Sequence, residues 1–397
     1  MRYLAIISLL SLLSCAAKIE SEGSQEDPIP ENSSANIVLF KNASGDAVKV
    51  SEVIIMSDNL EKSKVRLKPT TPAAWIEMPM EVKQNGFATY SFHVLSIDGT
   101  PYSATANLYL PDYGGLKKTI SLEKSWRTTK LKDGLNWHNY EGYELITDSK
   151  QVINVLELDL DSEDLKLEFV YYPDRAKISE VAQSNSKFVA ITNASFGSGF
   201  TSGSPVDNTY IRVDGVTHRE IGLSPDDSNY GKHESAVWYD GVSELGFIDM
   251  PGDFEAALDY YKKTTYPNLF SSVPMLISDF NKVNLKSYKR KLSTAPGPLT
   301  ALAVTCDRKL LLITVDGRWT DKAAGMTYAQ LQDFLRIHFF PKYAINMDGG
   351  GSTCMYIKGK NVVNYPCEGG AGSGSYKVYP GTFKERGLVT FFAIREK

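Results

Sequence analysis

The sequence predicts two domains: an N-terminal all-β sandwich of immunoglobulin-like size, and a C-terminal α+β domain built on extensive, mostly antiparallel sheet. Three observations predict this. The 397 residues exceed the range over which a single core keeps growing, about 250 to 300 residues. Short β-rich runs separated by Gly, Pro, Asn and Asp turns fill residues 37–125. From Trp126 to the end, residues 126–397, longer apolar runs mix with helical patterns, and strand signals outnumber helical ones.

The chain opens with a short leader. Arg2 precedes the apolar run Leu4 to Leu13, and Leu12-Leu13-Ser14-Cys15 has the pattern of a bacterial lipoprotein cleavage site, with Cys15 the acylated residue. The apolar run is too short to span a bilayer, which needs roughly 20 residues. Residues 1–15 therefore read as a lipoprotein signal, and residues 16–36, rich in Ser, Glu, Pro and Asn, as a solvated tether. The expected location is the bacterial cell envelope, with lipid the only contact to the membrane.

Within residues 37–125 the runs Asn36 to Phe40, Ser51 to Met56, Ala88 to Val94 and Ala104 to Leu110 read as strands. No cluster of acids, histidines or cysteines among them suggests chemistry, so this domain reads as a spacer or a carbohydrate-contact module. Further on, Val152 to Leu160 and Lys187 to Thr192 read as strands and Ser179 to Ser184 as a short helix. Thr327 to Gln330 forms a capping box, followed by Leu331, Phe334, Leu335 and His338 on one helical face. Tyr343 to Met347 and Gly387 to Ile394 close the strand series.

Composition narrows the function. With 43 Lys and Arg against 47 Asp and Glu, the formal charge of -4 lacks the basic footprint of a nucleic-acid binder. The five histidines are scattered, and no Walker loop or Gly-x-Ser-x-Gly elbow occurs. Beyond Cys15, the three cysteines Cys306, Cys354 and Cys367 show no CxxC spacing; Cys354 and Cys367 read either as a pair across a hairpin or as buried thiols. A small or glycan-like partner fits this balance.

Four polar motifs each end an apolar strand. In Asn346-Met347-Asp348-Gly349-Gly350-Gly351-Ser352, three glycines let backbone amides approach an anion while Asp348 and Ser352 add an acid and a hydroxyl. A plain glycine turn is the competing reading. Leu310 to Val315 leads into Asp316-Gly317-Arg318, where a guanidinium suits phosphate oxygens, although Asp-Gly is equally a hairpin turn. Thr192-Asn193-Ala194-Ser195-Phe196 offers an amide for a sugar hydroxyl, or a turn residue. Glu385-Arg386 precedes the last strand; adjacent side chains alternate across a strand, so only one of the two faces a given pocket.

Taken in order, these segments resemble the phosphodiester glycosidase family from about Val152 to the C-terminus. The family's Asn-Gly-Gly-Tyr-Phe is matched by Asn193-Ala194-Ser195-Phe196, its Val-Asp-Gly-Arg by Val315 to Arg318, and its Asn-x-Asp-Gly-Gly-Gly-Ser by Asn346 to Ser352. Glu385-Arg386 completes the set, and Gly325-Met326-Thr327 resembles the family's Gly-Met-Thr. Where the family carries Pro-Arg-Thr-Ala, this chain has Pro298-Leu299-Thr300-Ala301. The resemblance implies hydrolysis of a sugar 1-phosphodiester, with a phosphorylated carbohydrate as partner. The implied catalytic acids are Asp348, Glu385 and Asp316. The implied binding set is Asn193, Thr300, Arg318, Asn346, Gly349, Gly350, Gly351, Ser352 and Arg386. No cofactor is demanded, and a divalent cation near Asp316 and Asp348 suits paired acids without being required by any spacing. A non-catalytic lipoprotein that binds phosphorylated or acidic glycans is the alternative, supported by Leu299 in place of the arginine.

Overall fold

The computed structural model describes residues 34–57, 64–82, 87–112, 114–197, 209–221, 231–289, 292–319, 322–368 and 383–397. Cys15, the leader and residues 16–33 of the tether lie outside the described residues.

Strand pairing divides at Trp126. Seven strands between Ile37 and Lys124 form one group. In Phe87–Ser96 buried residues alternate strictly with more exposed ones, the period-two signature of a strand with one face on a core. That core contains Phe40, Val53, Tyr90, Phe92 and Leu122. Most neighbours are antiparallel, but Ile37–Asn42 pairs parallel with Lys117–Lys124. The group is seated on the turn after Leu145: Arg66 Nη2 donates to the Leu145 carbonyl at 2.6 Å, and both Lys64 and Arg66 pair with Asp148.

From Trp126 onward three antiparallel sheets are stacked. The largest has eight strands, running across the sheet from Asn281–Lys282 through Met275–Ser278, Tyr343–Asn346, Leu299–Val304, Lys309–Val315, Ser149–Asp159 and Leu135–Glu144 to Trp126–Lys132. A five-stranded sheet contains Leu165–Ala176, Leu388–Glu396, Phe188–Asn193, Met355–Ile357 and Asn361–Val362. A second five-stranded sheet joins Val216–Arg219, Ile211–Val213, Asn268–Ser272, Ser235–Tyr239 and Leu245–Asp249. The shared core between them includes Leu156, Phe169, Phe270, Leu312 and Phe392.

Each sheet carries one helix on its outer side. Helix α1, Ile178–Ser184, packs with Ile191 and Phe391. Helix α2, Phe254–Lys263, starts at Asp253, whose carboxylate accepts from the Ala256 amide, and buries Ala257 and Tyr261 against the smaller sheet. Helix α3, Tyr328–His338, carries the expected capping box, with the Thr327 hydroxyl and the Gln330 amide satisfying each other's backbone groups. Its Leu331, Phe334 and Leu335 cover the outer face of the eight-stranded sheet. Lys309–Val315 is therefore covered on both faces, which explains an apolar run with no alternation. Among the described residues no helix is long and apolar enough to cross a membrane.

Candidate active site

The site forms where three strand ends converge: Phe188–Asn193, Lys309–Val315 and Tyr343–Asn346. Asn193 ties two of them together. Its side-chain nitrogen donates to the Asp348 carbonyl at 2.6 Å, and its side-chain oxygen accepts from the Thr300 hydroxyl at 2.9 Å and from the Cys354 amide at 3.0 Å. Asp348 N–H in turn donates to the Ala194 carbonyl at 3.0 Å. A buried amide with both ends bonded fixes the loop that follows it.

That loop is the Asp348 to Ser352 turn. Gly350 adopts φ +63°, and its amide donates to the Pro298 carbonyl at 2.8 Å. Gly349 is required for space, since a Cβ there would lie 2.8 Å from the Pro298 carbonyl oxygen, and a Cβ on Gly351 would meet the movable ends of Arg386 at 2.5 Å and Glu368 at 2.6 Å. Arg386 thus reaches directly over the glycines, donating from Nη1 to the Ser352 hydroxyl at 3.1 Å and pairing through Nε with Glu368 at 2.5 Å.

Asp348 is partly exposed at the mouth of this turn. Burial by its surroundings raises its carboxyl pKa above the ordinary value, and the Ser352 hydroxyl, Lys232, Arg386 and the Gly349 amide pull it back. Lys232 also lies over the Phe196 ring, 4.8 Å from its centroid. An acid, two cations and a hydroxyl therefore share one corner.

Asp316 stands in a second corner and differs in exposure. It is 2% exposed and takes the Asn364 side-chain amide at 2.8 Å and the Tyr365 backbone amide at 3.1 Å on its carboxylate. Burial outweighs these donors and pushes its pKa up to about 7. Arg318, two residues on, is exposed with φ +63°. Its Nη1 lies 3.7 Å from Cys367 Sγ, and the thiol donates to the Gly350 carbonyl at 3.6 Å, linking this corner to the glycine turn. Beside them Trp319, Tyr365 and Phe383 pack ring to ring, at centroid distances of 5.2 Å for Trp319 with Tyr365 and 4.6 Å for Tyr365 with Phe383. Lys322 lies over both Trp319 and Tyr365, bonds the Tyr365 hydroxyl and pairs with Glu141 at 2.8 Å.

The remaining residues of the expected site are placed as follows by the fold. Asn193 and Thr300 are buried and bonded to each other, with Asn193 also holding the Asp348 loop. Asn346 is buried as well, its side chain donating to the Val273 carbonyl at 2.9 Å. Ser352 is enclosed and acts on Asp348 and Arg386 from behind. Glu385, in the loop before the last strand, turns away from Arg386 and accepts the Ser179 amide at 3.0 Å in the first turn of α1. Leu299 points with Ala301 and Ala303 into the core beneath α3, 3.6 Å from where a Gly349 Cβ would sit. Among the described residues Cys306, Cys354 and Cys367 form no disulfide. Lys232, Lys322, Asn364, Tyr365, Glu368 and the Trp319 cluster were absent from the sequence reading. Only Trp319, directly after Arg318, had a nearby motif to point to it.

The Asp348 corner thus joins a strand-end acid, two cations and a glycine turn on stacked antiparallel sheets. The phosphodiester glycosidase family model matches residues 181–380, just over half of the chain, and the chain belongs to that family. Glu385 and Arg386 lie just beyond the matched range. Among solved structures, the chain is similar to the zebrafish N-acetylglucosamine-1-phosphodiester alpha-N-acetylglucosaminidase catalytic domain auto-inhibited by its pro-peptide. The two share 17% identity over 69% of this chain and 84% of that one, with a TM-score of 0.46. A hypothetical protein from Synechocystis is similar at 12% identity over 91% of this chain and 81% of that one, with a TM-score of 0.47. No curated protein matches the chain.

Proposed function

We propose that the protein is a hydrolase that cleaves the bond between a sugar's anomeric carbon and a phosphodiester. The observation that carries this is the Asp348 corner, where one acid faces Lys232 and Arg386 across a turn that only glycine fits. Family membership supplies the reaction class.

A phosphomonoester leaving group has a second pKa near 6, so it departs with less protonation than an alcohol needs. The demand on the site is then for charge stabilisation. Arg386, Lys232 and, from the other corner, Arg318 bind the phosphate. Asp348 acts at the anomeric carbon, either activating water or attacking directly. Asp316 holds Asn364 and Tyr365 in place, while the Trp319 and Tyr365 rings offer faces for a sugar. The same reading puts the enzyme in the bacterial envelope, anchored through lipid on Cys15, a placement that rests on the leader sequence alone.

The test is turnover of a synthetic sugar 1-phosphodiester by the purified full chain. Release of free sugar and phosphomonoester is the expected result. Saturable binding without release identifies the second reading, a glycan-binding lipoprotein, which the buried Leu299 at the family's arginine position favours.

A further inference from the structure

A row of polar side chains crosses the eight-stranded sheet on its inner face. Register places Arg127 opposite Asn139, Asn139 opposite Asn154, Asn154 opposite Thr314 and Thr314 opposite Thr300. Directly opposed residues of antiparallel strands project to the same face, with Cβ atoms about 5 Å apart. The row starts at exposed Arg127 on the edge strand and runs inward to Asn154, Thr314 and Thr300, which are at most 1% exposed.

In its outer half Asn139 and Asn154 are bonded to each other. The Asn154 side-chain oxygen accepts from the Trp137 indole at 3.1 Å and from the Asn139 amide at 3.0 Å. Two donors on one atom fix which end of the Asn154 amide is oxygen, since the flipped form would oppose donor to donor. The amide nitrogen is therefore turned away from Asn139, toward the flank occupied by Thr314. The inner half ends at Thr300, whose hydroxyl is committed to Asn193 and Thr353. Between the halves, Asn154 Nδ2 and Thr314 Oγ1 are buried side by side, and neither has a hydrogen-bond partner in the protein. Thr192 Oγ1, on the facing sheet and on the same inner side as Ala190 and Ala194, is also buried without a partner. Buried polar groups left unbonded cost about 1 to 3 kcal/mol each, and native proteins relieve this with enclosed water held by two to four polar atoms.

We infer that a water molecule is bound between Asn154 Nδ2 and Thr314 Oγ1, and that it continues the polar row from the sheet edge to the Asp316 carboxyl. The amide nitrogen donates to the water, and the water donates to Thr314 Oγ1. Asp316 follows Thr314 by two residues, one position past the strand's end, and its amide still donates to the Val152 carbonyl at 2.9 Å, which carries the pairing and its alternation to that residue. Every protein partner of the Asp316 carboxylate named above is a donor, Asn364 or Tyr365, so a proton on this acid needs an acceptor from elsewhere. The enclosed water supplies one and gives the buried acid a route for proton exchange that avoids the substrate side. This inference rests on the register and the unbonded atoms, and stands whether or not the protein cleaves phosphodiesters.

The experiment uses the full chain, with water-to-protein cross-relaxation measured by NMR on selectively labelled Asn and Thr, and the Asp316 carboxyl carbon followed in a pH titration. A long-lived water cross-peak is expected at the Asn154 amide and the Thr314 methyl, lost in Thr314→Val and retained in Thr314→Ser. The Asp316 midpoint is expected to move up in Thr314→Val, because the acid loses a solvating neighbour. Absence of a bound-water signal in the unmodified protein overturns the site, and an unmoved midpoint in a folded Thr314→Val overturns its link to Asp316. If Thr314→Val does not fold, the unmodified protein and Thr314→Ser still decide whether the water is present.

Discussion

Asp316 and Asp348 begin from the same sequence signal, an acid at the end of a buried apolar strand followed by glycine, and the fold gives them opposite surroundings. Asp348 sits partly exposed among Lys232, Arg386 and Ser352. Asp316 is sealed behind Tyr365 and Asn364, with its nearest named cation, Lys322, already paired to Glu141. Burial raises both pKa values, but Lys232 and Arg386 both act on the Asp348 carboxyl, where Lys322 acts on Asp316. Residue exposure and nearby charge, rather than a perturbed pKa, distinguish the two acids.

The largest expected effect undermines the Asp348 corner from below. Leu299→Arg places an unpaired charge in the core beneath α3, and we expect a loss of roughly 3 kcal/mol or more in stability, read by urea unfolding. A variant of normal stability with tighter phosphate binding would show that the side chain swings out to the pocket. Next, Asp348→Asn removes charge and basicity while keeping shape, so turnover of a sugar 1-phosphodiester should fall about a hundredfold or more with binding preserved. Near-normal turnover would erase the distinction drawn between the two acids.

Arg318→Ala should weaken substrate binding, and with it kcat/KM, about tenfold with kcat little changed, because a charge-assisted contact contributes roughly 1.5 to 3 kcal/mol in ground and transition states alike. A fall in turnover alone would assign it to the transition state.

Asp316 is read through pH and stability. Its folded pKa of about 7 lies above the ordinary 3.8, so between those values the folded state holds a proton that the unfolded state has released. Stability from this group is therefore present below about pH 4 and lost as pH rises to 7, at no more than about 1.4 kcal/mol per pH unit. Asp316→Asn should abolish that slope in melts between pH 4 and 7, and an unchanged slope would place its source elsewhere. The smallest effect is expected at Glu385: Glu385→Gln keeps an acceptor for the Ser179 amide and should leave turnover within about twofold, at a stability cost below about 1 kcal/mol. A collapse of turnover would return Glu385 to the chemistry.

Much of the framework was legible because it is written locally. The Thr327 capping box, the alternation in Phe87–Ser96 and the unbroken apolar run Lys309–Val315 each express a backbone requirement within a few residues. The smaller five-stranded sheet was missed because its strands are only three to five residues long, too short for a period to show. Helix α2 had a usable signal, Asp253 before Phe254 with Ala257 and Tyr261 four apart, but a short amphipathic stretch is weak by itself.

The sequence by itself determined where strands end, which ends carry acids, glycines and arginines, and the family they spell in order. Only the tertiary structure decided that Leu299 faces a helix, that Glu385 serves α1 while Arg386 serves the glycine turn, and that Lys232 joins Asp348 from more than a hundred residues away. The reason is physical: a motif fixes backbone conformation over a few residues. Which side of a strand is buried, which charge lies opposite, and how far burial lifts a carboxyl pKa depend on register and on the sheet packed above, and these are set by contacts remote in sequence.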